Sequence, residues 1–425
     1  MNILIQGGRV IDPANGVDTQ ADVYISGGRV AAVGEAPADF RAERVVDARG
    51  RIVCPGLVDL HARLREPGLE HKGTVASETR AAARAGITTL CCPPDTDPVV
   101  DTPAAAQLIK RLARETGQAR VLPLGALTQG LKGEQLAEMA ALHDAGCIAL
   151  GNARRPITNT LVMRRALEYA ATLDLTVFLY PEDPWLAGGC VHEGVVGARL
   201  GLSGIPECAE VIGLARDLRL VEQSGVRAHF CQLSTASAVE LVAEARARGL
   251  PVSADVAAHQ LYLTEMDVGS FNSLCHVRPP LRTQRDRDAL RAGLASGAIS
   301  AVCSDHQPHD ADAKLAPFPA TEPGASTLET LLPLMLRLAD EGVLGLDAAI
   351  AKVTCEPARI LGHDSGTLAV GAGADVCVFD PERWWTVSEH TLTSRGKNSP
   401  FLGWELKGRV THTLLAGEVV FELND

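Results

Sequence analysis

Between residues 53 and 366 the chain alternates between two patterns, and this alternation limits the folds open to it. Short apolar runs recur at 57–61, 87–92, 120–124, 147–150, 175–180, 226–230, 251–256 and 299–303. Most of the gaps carry a helical period, as in Pro103 to Glu115, Leu161 to Ala171, Ala236 to Arg248 and Arg285 to Leu294. A short, wholly apolar run is what a strand covered on both faces looks like. Eight such strands, each followed by a helix, predict a parallel (β/α)8 barrel. An open, doubly wound sheet satisfies the same periodicity and stays as the alternative. In a barrel, chemistry gathers at the C-terminal strand ends.

The two ends of the chain read differently. Ile3 to Gln6, Ala21 to Ser26 and Val30 to Val33 are β-rich, with Gly7-Gly8 and Gly27-Gly28 as breaks. Asp375 to Phe379, Val410 to Leu415 and Val419 to Phe421 repeat the pattern at the other end. The expected architecture is therefore α/β: a TIM-type barrel over 53–366, and a small β-sandwich domain built from 1–52 and 367–425. Hydrophobic residues make up 46% of the 425, ample for a large core, but aromatics only 4%, so aliphatic side chains and alanine must fill it. A formal charge of −12 argues against a nucleic-acid partner. None of the eleven cysteines forms a C-x-x-C pair, so they read as buried, reduced thiols. With no signal peptide and no run of 18 apolar residues, the expectation is a cytoplasmic protein without a membrane span.

The strand ends carry motifs. The first reads Asp59-Leu60-His61-Ala62-Arg63-Leu64-Arg65-Glu66-Pro67-Gly68, and the eighth Ser304-Asp305-His306-Gln307-Pro308-His309. Gly371-Ala372-Gly373-Ala374-Asp375 and Asn398-Ser399-Pro400-Phe401-Leu402-Gly403 follow in order. The series resembles the dihydroorotase family of the amidohydrolase superfamily, over nearly the whole chain. Within that family it is most similar to the non-catalytic, dihydroorotase-like subunits associated with bacterial aspartate transcarbamoylase.

The resemblance implies a zinc site at the barrel mouth. Its ligands are the two histidines of H-x-H, a carboxylate after strand four, histidines after strands five and six, and an aspartate after strand eight. Zinc would lower the pKa of a bound water to about 7 and supply the hydroxide that opens a cyclic amide. Of these positions only His61 and Asp305 match. Arg63 replaces the second histidine, and a guanidinium cannot ligate a metal. Asn152, Tyr180 and Gln232 stand after strands four, five and six. The expectation is a degenerate site with no catalytic residue and no metal, in which Arg63 pairs with Asp305 to replace the lost positive charge. His61 and Asp305 would then be remnants that satisfy each other or nearby backbone. The family's substrate-carboxylate pocket leaves Arg65 and His309 in place. Asp95 stands where an asparagine is expected and would repel an anion, and Arg278 adds a cation. The pair Arg154-Arg155 reads as solvated, His259 as structural, and 310–324 as a lid or an idle loop.

The expected function is that of a catalytically inactive, dihydroorotase-like structural subunit supporting assembly of the aspartate transcarbamoylase catalytic chain, in homo- and hetero-oligomers. Two other functions stay open: an altered amidohydrolase with a reduced or mononuclear metal site, and a small-molecule sensor that keeps the Arg65–His309 pocket.

Overall fold

A computed structural model describes residues 1–423. Its barrel strands are Leu57–Asp59, Ile87–Cys92, Arg120–Ala126, Ala149–Gly151, Val177–Leu179, Ala228–Phe230, Val252–Ala257 and Ala301–Cys303, paired in sequence order. A doubly wound sheet reverses its strand order at a switch point. This sheet does not, so the barrel is the fold. The first and eighth strands meet only past their ends, where Ala62 bridges His306. There Arg63 N donates to the His306 carbonyl at 2.9 Å, and His306 N to that of His61 at 3.2 Å. Closure of the barrel therefore lies in the two motif segments.

Alternation along each strand sends one set of side chains inward. Val58, Leu60, Cys91, Leu124, Phe178, Cys231 and Cys303 fill the barrel interior. The helix Cys355–Leu361 adds Ala358 and Leu361 to that cluster and covers the lower end. The other set packs beneath the surrounding helices, where small residues let backbones approach: the helix Val75–Arg84 buries Ala81, Ala82 and Ala83. A fully buried leucine or isoleucine contributes about 2 kcal/mol, so many aliphatic positions compensate for few aromatics. The cysteines are all free, and only Cys190 and Cys208 are not buried.

The terminal segments form one continuous eight-stranded sheet, pairing Ile52–Pro55 with Val376–Thr386. The sheet folds over on itself. The hairpin tip at Gly28 approaches Ala416 and Gly417 from the far side, and Val30, Val53 and Leu414 share a core. The two-layer domain expected from both termini is thus a single curled sheet. Gly7-Gly8 is not a turn. The strand Ile3–Asp12 runs through it with a register shift between Ile5 and Gly8. Gly7 takes φ +73°, and a Cβ on Gly8 would lie 2.5 Å from Val53. No helix among the described residues is long and apolar enough to cross a membrane.

Candidate functional site

Four strand ends leave the barrel through strained backbone. Arg65, Ala153, Gln232 and Asp305 have φ between 48° and 66°, in the left-handed region that non-glycine residues avoid. Each such residue costs about 1–3 kcal/mol unless its surroundings enforce it. They follow the first, fourth, sixth and eighth strands, and they aim side chains across one mouth. Buried Asp59 supports the base of this arrangement, accepting from the backbone N–H of His61 and Ser304 and from the Ser304 hydroxyl. Burial pushes its carboxyl up to about 6.

At the mouth, His61, Arg63, Tyr180, Gln232 and Asp305 form one network, joined by Arg154. Arg63 Nη1 lies 2.7 Å from His61 Nε2. A guanidinium can only donate, so Nε2 accepts and Nδ1 carries the proton toward the Tyr180 oxygen. Burial, with Arg63 and Arg154 nearby, drives the His61 pKa far below its usual range and keeps the ring neutral. Arg63 Nε donates to Asp95 at 2.8 Å, while its Nη1 stands 3.8 Å from Asp305. Burial pushes the Asp95 carboxyl up, but Arg63 and Arg65 outweigh it and hold the group ionised. Asp305 takes its closest cation from Arg154, whose Nη2 is 3.3 Å away. It also accepts from Gln232 at 2.8 Å and Gln307 at 3.0 Å. Arg154 additionally donates to the Gln232 side-chain amide oxygen Oε1 and sits 5.5 Å above the Tyr180 ring.

Two expectations are corrected here. Arg154 is not solvated; its side chain is 15% exposed and lies inside the site. Arg63 pairs first with Asp95, and Arg154 is the nearer cation at Asp305. Asp95 in turn does not present a bare charge to the pocket. Two cations and two carboxylates compensate one another. A cavity lined by Arg63, Arg65 and Asp95 measures about 10 Å³, and one beside Asn152 and Tyr180, toward Arg216 and Asp217, about 20 Å³. Each holds a single water at most.

Comparison with known proteins identifies the kinship. A family model described as Dihydro-orotase-like matches residues 50–238. A "Dihydroorotase-like protein" of Pseudomonas putida is 54% identical over 420 residues, covering 99% of both chains. One of Pseudomonas aeruginosa is 53% identical over 99% of this chain and 100% of its own. A "Dihydroorotase" of Geobacter sp. (strain M21) is 44% identical, covering 99% of this chain and all of its own. The chain belongs to the dihydroorotase-like family. The fold agrees: L-hydantoinase (dihydropyrimidinase) from Arthrobacter aurescens superposes with a TM-score of 0.90 at 26% identity, covering all of this chain and 96% of that one.

Set against the ligand set implied for this family, the dihydroorotase-like chain does not fit zinc. The one lone pair of neutral His61 faces a guanidinium. Arg63 and Arg154 already occupy the carboxylates of Asp95 and Asp305, so an incoming dication would have to displace two permanent cations. Asn152 turns away, accepting from Thr128 at 2.8 Å and donating to the carbonyls of Leu131 and Arg155. Burial pushes the Tyr180 phenol well above its usual range, which opposes phenolate ligation. Among the described residues, one group of three metal-type ligands does come together: His229, Cys231 and Asp255. It lies on the strands, beneath their ends. His229 is already bonded to Ser253 and Asp255, and burial raises the Cys231 thiol well above its normal pKa.

The remaining pocket positions are also committed. Arg65 donates to the Pro308 carbonyl at 3.0 Å and stands 3.1 Å from His309. Burial and Arg65 lower His309 to about 2. Arg278 pairs with Glu182 at 2.9 Å, which gives that loop carboxylate a partner. His306 bonds buried Glu78 at 2.8 Å, so it is a loop anchor. Both ring nitrogens of His259 are buried without partners. The segment 310–324 is pinned over the mouth: Lys314 donates to the Glu322 and His276 carbonyls, Phe318 stacks on His276 at 4.8 Å, and Glu322 pairs with Lys72.

Sequence reasoning missed Arg154, Glu78, Asp59 and the His229–Asp255 pair. Arg154 sits in the position after strand four where a ligand was sought, and its distance of two residues from Asn152 was the available signal.

Proposed function

We propose that this dihydroorotase-like chain is a non-catalytic subunit that supports assembly of aspartate transcarbamoylase. One observation carries the reading: the mouth is filled by a charge-balanced network, Arg63–Asp95 and Arg154–Asp305, where a hydrolase of this family needs a metal and room for substrate. Barrel packing and outer surfaces do not depend on those ligands, so the fold persists as a scaffold without the chemistry. The transcarbamoylase partner, and self-association of the chain, rest on the resemblance to non-catalytic subunits.

Purified chain should hold well under one zinc per molecule and leave dihydroorotate unhydrolysed. It should also co-purify with the transcarbamoylase catalytic chain of the same genome and increase that chain's assembled fraction. Stoichiometric zinc with dihydroorotate turnover would establish the second reading, an altered amidohydrolase, for which the relatives named dihydroorotase at 44% identity speak. A catalytic chain that assembles equally well alone would remove the scaffold role.

A further inference from the structure

The barrel end opposite the mouth holds a second constellation. The N-terminal ends of strands five to eight and the helix Cys355–Leu361 enclose a pocket of about 390 Å³. Arg227, Arg246 and Arg359 line it with Glu356, which pairs with Arg359 at 2.8 Å, while Arg227 lies 3.2 Å from Asp174 outside the lining. That is a local excess of positive charge in a chain of net charge −12. Ser253 and Ser300 add hydroxyls to the lining.

Ser253 is half-buried, and behind it runs a hydrogen-bonded line into the core. His229 is its register partner on the neighbouring strand. Asp255, two residues on, faces the same side. Ser253 Oγ lies 2.8 Å from His229 Nδ1, and His229 Nε2 lies 3.0 Å from Asp255 Oδ2. Asp255 Oδ1 accepts the Gln232 backbone N–H at 2.6 Å, so the carboxylate meets the ring with its other oxygen. An N–H on Nε2 satisfies that oxygen and leaves Nδ1 bare to accept from the Ser253 hydroxyl. Serine, imidazole and carboxylate in this order are the parts of an activated nucleophile, recognised by geometry and role and not by fold. Here the two ring nitrogens exchange their usual duties. Ser300 Oγ, also in the lining, accepts from Arg246 at 2.9 Å, and its own proton is free to be donated.

We propose that Ser253 is the nucleophile of a second site at the lower end of the barrel, acting on acyl esters whose acyl group carries a carboxylate. Ser253 Oγ attacks the ester carbon while its proton passes to His229 Nδ1, and Asp255 holds the imidazolium through Nε2–H. The carbonyl oxygen, now an oxyanion, accepts from the Ser300 hydroxyl. As it collapses, the bond from carbon to the leaving oxygen breaks, and that oxygen takes the proton from Nδ1. Water then repeats the sequence on the acyl-serine and releases the acid. The arginines hold the distal carboxylate.

The test is covalent labelling of the whole chain by a fluorophosphonate probe, read by intact mass and peptide mapping. One adduct per chain on Ser253 is expected, absent in Ser253→Ala and slower by at least about tenfold in His229→Gln. Mono-4-nitrophenyl succinate should be hydrolysed faster than 4-nitrophenyl acetate, with the preference reduced in Arg359→Gln. No adduct on Ser253 in folded protein, or His229→Gln labelled as fast as the parent, overturns the assignment. If His229→Gln does not fold, the two variants at the pocket rim decide. Turnover persisting in Ser253→Ala, or an unchanged anionic preference in Arg359→Gln, refutes it. Zinc content and dihydroorotate turnover read the mouth, whereas labelling reads the opposite end, so either result can fail alone.

Discussion

Arg154 shows how a side chain can change role without leaving its place in the sequence. A guanidinium in a loop after a strand reads as solvated, yet here it neutralises Asp305, whose side chain is 1% exposed. Removing one member of a buried pair leaves the other uncompensated, which costs about 3 kcal/mol or more. Arg154→Met should therefore destabilise the chain by about that amount in urea unfolding. Arg154→Lys should recover only part of the loss, since a point charge cannot serve Asp305, Gln232 and the Tyr180 face together. An unchanged unfolding midpoint in Arg154→Met would show that Arg63 alone suffices at Asp305. The sequence could not reveal this pairing, because the partners are 151 residues apart and meet only when the barrel closes. The departures from the family pattern at Arg63, Asn152, Tyr180 and Gln232 were legible, because each falls at a strand end whose position the apolar runs define.

Among the elements, strands and helices followed their periodicity closely. The helical pattern at Arg285 to Leu294 lies within the helix Gln284–Ser296, and that at Leu161 to Ala171 within Thr160–Thr172. Boundaries extended where local capping decided them. Thr283 and Asp286 form a reciprocal cap on the first of these helices. The same Asp286 accepts from Ala236 N at 3.0 Å, at the start of the preceding helix, so one carboxylate ties two helix starts. Asp286→Ala should cost about 2 kcal/mol in chemical denaturation, more than an ordinary cap, because both ends lose a partner. A loss no larger than that of Thr283→Ala would mean the second tie contributes nothing. Gly7-Gly8 escaped sequence reasoning because a glycine pair marks a turn and a bulge alike. Only the approach of Val53 from the next strand separates the two.

At the scale of the molecule, the acid response follows from histidines buried without charge. Burial lowers His259 and His276 to about 4, and His309 to about 2. In the unfolded chain these rings take up protons near pH 6.5. Between that value and the folded ones, these rings bind more protons unfolded than folded, so their contribution rises with pH and outweighs the opposing one of Asp59, whose raised carboxyl binds a proton in the folded state below about pH 6. It should be fully present above about pH 6.5 and decline as pH falls toward 4. Glu78 adds to the same limb. Although burial pushes its carboxyl up, the bonds from His306, Ser394 and Ser77 hold it below its usual range. Its contribution is kept above the unfolded glutamate value near 4.3 and lost below it. Thermal melts from pH 8 to 4 should show the decline, and His309→Gln should flatten its upper part. Melting points independent of pH down to 5 would contradict it.

The closure of the barrel at Ala62 and His306 bears on the history open to such a chain. The segment that bridges the first and last strands also carries His61 and Arg63, so the positions where the family pattern implies two histidine ligands are part of the clasp. The full ligand set implied for the family would require replacing Arg63, Asn152, Tyr180 and Gln232 and also withdrawing Arg154. Each single step strands a charge or an empty acceptor in a buried network beside the segments that close the barrel. For a chain without the metal site, as proposed above, selection for stability alone would oppose every intermediate, and the change would work as a ratchet.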